Sequence, residues 1–246
     1  MASTGLLPRH LKFSKRKKLT IEQTGKLNLV AIVALFIIVP LRHGIFNTNG
    51  LATAILIISL GIISVIAGLL FEWKSAWCSG LCPVHPVEKL YGLNNRFSLL
   101  NAHCDQCYRC VIPCPDTTPG IHPLSSKKST YHKIGGFLMA GAFPGFVWGW
   151  FQVSDFMDIT GIERLIAVYK LPVIGCLVTG LLFLIIKKFV EEKILIAVFS
   201  AAAVSCYYWF RLPALFGFGI FPGNGMLIDL TGLLPEWSMT VTVVAT

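Results

Sequence analysis

The chain has 246 residues, a net charge of +9, 54% hydrophobic residues and only 13% charged ones. Soluble domains carry about 25% charged residues, so this composition excludes an ordinary soluble domain. The positive charge falls before and between apolar blocks as a topology signal at a lipid surface, which argues against a nucleic-acid partner.

Apolar residues arrive in blocks close to the ~20 residues that cross a bilayer. The blocks are 27–46, 51–71, 134–153, 171–187 and 194–213. They predict an all-α membrane protein with about five transmembrane helices and a lipid bilayer as its solvent. The first block begins late and is long, and no A-x-A-like exit follows it, so no cleavable signal peptide is expected.

In chain order, residues 1–26 read as a basic arm and 27–71 as a transmembrane hairpin turned by Asn47-Thr48-Asn49-Gly50. Residues 72–133 form a polar insert between helices two and three. Residues 134–213 supply three more helices; Pro144 should kink the first of these, and Trp148 and Trp150 should lie at its outer interface. The tail 214–246 is apolar but broken by Gly and Pro; it reads as a re-entrant segment, a sixth span or a periplasmic cap, and the five-span reading places it outside, on the periplasmic side.

Charge sets the expected orientation. With a crossing at every block, the basic residues of the arm, of the insert and of Lys187, Lys188 and Lys193 fall on one side. The other side receives Arg42, Arg164, Lys170 and Arg211. Positive residues stay inside. The expected location is therefore a bacterial inner membrane, with the N-terminus and the insert cytoplasmic.

The insert holds six of the chain's eight cysteines. Cys104, Cys107, Cys110 and Cys114 are spaced C-x2-C-x2-C-x3-C and are followed by Pro115, the bacterial ferredoxin run for a [4Fe–4S] cluster. Zinc sites usually draw on two separated knuckles, and a reducing compartment disfavours disulfides. Cys78-x3-Cys82-Pro83 repeats the second half of that run, with Glu72 and Ser75 where its first two cysteines would stand. In two-cluster ferredoxins the fourth cysteine ligates the other cluster. Two ligand sets follow. The crossed set is Cys104, Cys107, Cys110 and Cys82, with Cys78 and Cys114 at an incomplete second site. The local set is Cys104, Cys107, Cys110 and Cys114. One cluster is expected in either case, and a second lacks two thiolates.

"CSGLCP" directly after a span, "CDQCYRCVIPCP" and the multi-span layout resemble the NapH/NosR/MauN-type membrane ferredoxin-like proteins. The resemblance covers roughly residues 25–190. Larger members carry two C-x3-C-P elements and two ferredoxin runs. Here there is one of each, and the run lies between spans.

Other signals have plainer readings. His85, His103 and His122 read as surface residues or neighbours of the cluster. Arg42 and His43 read as a snorkelling interface pair that would also suit a quinol head group. Asp155, Asp158 and Glu163 read as a solvated loop, and Cys176 and Cys206 as small packing residues. No phosphate loop, nucleophile elbow or HExxH zinc motif is present. The function expected is electron relay between a quinol or cytoplasmic donor and a membrane or periplasmic redox protein. The alternative is a cluster-bearing assembly, sensing or structural subunit. No substrate site of its own is visible, so enzyme status is left open.

Overall fold

The computed structural model describes residues 2–15, 17, 19–71, 74–81, 129–155, 161–221 and 223–245. Most of the cysteine insert lies outside them. The described residues are helical, with no strand among them beyond an isolated bridge between Lys17 and Phe71. Five helical stretches are long and apolar enough to cross a membrane: Ile21–Phe46, Gly50–Leu70, Thr130–Phe151, Gly161–Ile186 and Glu192–Leu215. The chain is a multi-pass membrane protein. It divides into two compact units, one of residues 1–37 and 49–139, the other of 38–48 and 140–246.

In the first unit, α1 (Ala2–His10) packs on α3 (Gly50–Leu70). Gly68 permits this, because a Cβ there would collide with the Gly5 carbonyl. Thr4 Oγ1 lies 3.4 Å from the hydroxyl of Ser64, which is fully buried. The last carbonyls of a helix have no partner within it. Here the arm supplies partners: the Ser14 hydroxyl donates to Gly68 O at 2.7 Å, and Lys15 N–H to Leu69 O at 2.7 Å. The start of α3 is also capped, with Asn49 Oδ1 accepting from Ala52 N–H at 3.1 Å.

The first half of α2 (Ile21–Leu41) meets α4 (Thr130–Phe137). A Cβ at Gly25 would strike Ser129 and His132, and one at Gly135 would press on Ile32, which is 1% exposed. Lys26 Nζ sits 5.2 Å from the centre of the Tyr131 ring.

In the second unit, α5 (Phe143–Phe151) packs on α6 (Gly161–Ile186) and α7 (Glu192–Leu215). Gly141, Gly145 and Gly149 recur every four residues along one face. A Cβ at each would meet Phe183, the Gly175 carbonyl and the Leu171 carbonyl respectively. Small residues let membrane helices approach to backbone contact. Thr179 secures the crossing: its hydroxyl accepts from Gly145 N–H at 3.2 Å and lies within reach of Ala142 O at 3.2 Å and Gly175 O at 3.1 Å.

Among the described residues three π-helical segments interrupt the regular turns: π1 (Arg42–Phe46), π2 (Lys74–Leu81) and π3 (Leu138–Ala142). Two of them adjoin prolines. Pro144 has no N–H to give the carbonyl four residues back, and its ring crowds that carbonyl. The expected distortion of the third span therefore appears as the wide turn π3. Pro40 stands two residues before π1, so the carbonyl it crowds, that of Phe36, lies outside that segment. The tail folds back on the end of α7, with Leu227 N–H donating to Leu215 O at 2.9 Å and Leu230 N–H to Phe216 O at 3.1 Å. It ends in α8 (Glu236–Ala245), ten residues long, which packs on α7.

Candidate functional site

Cys82, Cys104, Cys107, Cys110 and Cys114 lie outside the described residues, as do Glu72, His85, His103, His122 and Asp158. Cys78 lies in π2, directly after Trp77, which is 7% exposed, and two residues after the fully buried Ala76. The C-x3-C-P element thus begins on a segment held against α1 and α3. Among the described residues no group of three His, Cys, Asp or Glu side chains converges on a metal position. Cys176 and Cys206 are free, half-buried thiols within spans.

Sequence reasoning missed a second polar site, in the unit containing π1 and α5. Arg42 and His43 do not snorkel as a pair. His43 is only 5% exposed, and its Nδ1 is bonded to the carboxylate of Asp155. Asp155 belongs to the loop expected to be solvated, yet its side chain is 13% exposed. The same carboxylate oxygen accepts from Asn47 Nδ2 at 2.8 Å. Arg42 Nε donates to Asn47 Oδ1 at 3.1 Å, and Arg164 Nη2 donates to the His43 carbonyl at 2.9 Å. Burial alone would push the Asp155 carboxyl up. The bond and charge of His43, the charge of Arg42 and the bond from Asn47 outweigh burial and hold it below the ordinary 3.8.

The Trp150 ring lies 4.9 Å from the His43 ring, tilted by 46°. Trp150 therefore faces inward, whereas Trp148 is 43% exposed. His43, Trp150 and Asp155 line a cavity of about 40 Å³ together with Arg42, Arg211 and Asn224. His43 Nε2, Trp150 Nε1 and Asn224 Oδ1 are buried there without a protein partner. The sequence places His43 at the end of one apolar block and Asp155 just past another, and neither position alone marks the pair.

A stretch of 53 residues is 43% identical to the methylamine utilization ferredoxin-type protein MauN of Paracoccus denitrificans (strain Pd 1222). The likeness is to a ferredoxin-type protein. It covers 19% of this chain and 18% of MauN, which makes the relationship distant and local. No protein-family model matches the chain. No solved structure matches it.

Proposed function

We propose that the chain is a membrane-anchored iron–sulfur electron-transfer subunit. It relays electrons between a quinol or cytoplasmic donor and a membrane or periplasmic redox protein. The observation that carries this reading is the C-x2-C-x2-C-x3-C-P run at 104–115, set between two membrane spans. The local likeness to a ferredoxin-type protein supports it.

The donor set fits the group. Four closely spaced thiolates suit a cuboidal [4Fe–4S] cluster, which when bound supplies one-electron redox chemistry. Cys104, Cys107 and Cys110 would hold three of its irons. Cys82 or Cys114 would hold the fourth, and Cys78 would remain for an incomplete second site. The protein's own part is to set the potential through burial and through N–H groups directed at the sulfurs. In the proposed orientation the basic insert faces the cytoplasm of a bacterial inner membrane.

The test is redox-poised, low-temperature EPR of the anaerobically purified full chain in nanodiscs. A reversible signal from the reduced cluster, generated by a quinol analogue or a low-potential donor, supports relay. A cluster that stays in one redox state with every donor and acceptor tried defeats it.

A further inference from the structure

The His43 pocket is built from elements that the cysteine insert does not explain. A buried imidazole is bonded through one nitrogen, keeps the other without a protein partner, and belongs to the lining of a cavity. A water needs roughly 10–15 Å³ of such space, so about three fit. A ring the size of a quinone head group does not, since ligand pockets run to about 300 Å³ or more. The space therefore suits water, and the nitrogen left without a partner suits a proton.

We infer that His43 and Asp155 form a proton-binding site, in which imidazole Nε2 takes a proton from hydronium delivered through the water of the adjoining cavity while Asp155 holds Nδ1–H. Which imidazole nitrogen carries the proton is set by the bond the other one makes. Asp155 accepts, so the neutral ring keeps its hydrogen on Nδ1 and leaves a lone pair at Nε2. On protonation one N–H bond forms at Nε2 and one O–H bond of a cavity hydronium breaks, leaving water. The pair passes from a net charge of −1 to neutral.

The groups around the ring come from each neighbouring element. Arg42 on π1 and Arg211 on α7 line the same cavity, and Arg164 on α6 holds the His43 carbonyl. The aromatic contact supplies a reporter, because Trp150 lies against the His43 ring.

The site stands independently of the iron–sulfur reading, and its test uses the full chain in nanodiscs with 15N-labelled histidine. Nitrogen spectra resolve the six histidines. His43 is assigned by its loss in His43→Gln and by its ring-current change in Trp150→Phe. At alkaline pH, His43 is expected to carry its hydrogen on Nδ1. On going from alkaline to acidic pH, Nε2 should be the nitrogen that gains the proton, with a parallel quenching of Trp fluorescence that is absent in both variants. Asp155→Ala should abolish the Nδ1 preference. An alkaline form protonated at Nε2, a His43 signal unchanged across the range, or an Nδ1 preference that survives in Asp155→Ala overturns the proposal. The tautomer in the unaltered protein decides the matter even where a variant fails to fold.

Discussion

Cys82 and Cys114 carry the sharpest question at the level of single residues. If Cys82 completes the main cluster, Cys82→Ala should remove it as fully as Cys107→Ala, whereas Cys114→Ala should retain most of the iron. The local ligand set reverses that order, with Cys114 indispensable and Cys82 tolerant. Iron and sulfide content of the three variants, purified anaerobically side by side, separates the two arrangements. The cysteine run was legible at once because its members lie close together in the sequence, at the spacing of a ferredoxin run. The His43–Asp155 pair was not, because its members are 112 residues apart and each looks ordinary alone. A histidine at a span end resembles an interface residue, and an aspartate between spans resembles a solvated one.

Asp155 also has a pH consequence. Its folded pKa lies below the ordinary 3.8, so its contribution to stability is fully present above that value and is lost as pH falls through the lower folded value. The apparent melting temperature in detergent should therefore drop more steeply below about pH 4 for the unaltered protein than for Asp155→Asn. Equal slopes for the two would show that the carboxylate contributes no such stability.

Helix packing sets the next scale. Gly141, Gly145 and Gly149 are spaced by four, but hydropathy marked this stretch only as part of a span. What they do depends on the partner helix, which the sequence does not identify. Gly145→Ala should destabilise the α5–α6 crossing by about 1–3 kcal/mol, the usual cost of overpacking a close contact. Gly61→Ala is the control, since a Cβ there meets nothing within 4 Å. Thermal denaturation of both in the same detergent checks the contrast, and equal stability of the two would remove the glycine contact as the reason for the crossing. Prolines were the more readable signal. Pro144 announced a distortion, and π3 is the form it takes. π1 buries His43 beside Gly44, where an added Cβ would lie 3.5 Å from Val168 Cγ2, a tertiary neighbour that no local pattern announces.

At the scale of the whole molecule, the five spans were legible because a bilayer demands long apolar helices and the chain meets that demand by length and composition. Their ends were less so: the first helix begins at Ile21, because backbone hydrogen bonding continues through polar residues that hydropathy assigns to an arm. The arm itself packs on α3 through Gly68, a close approach that composition cannot reveal. Orientation rests on charge bias. A reporter fused after Lys127 should behave as cytoplasmic, and activity of a periplasm-only reporter there would reverse the topology and reopen disulfide chemistry for the insert. The most direct measurement of all is the metal and sulfide content of the full chain purified without oxygen. Iron and acid-labile sulfide are expected in equal amounts, about four of each per chain, and stoichiometric zinc without sulfide would contradict the iron–sulfur assignment outright.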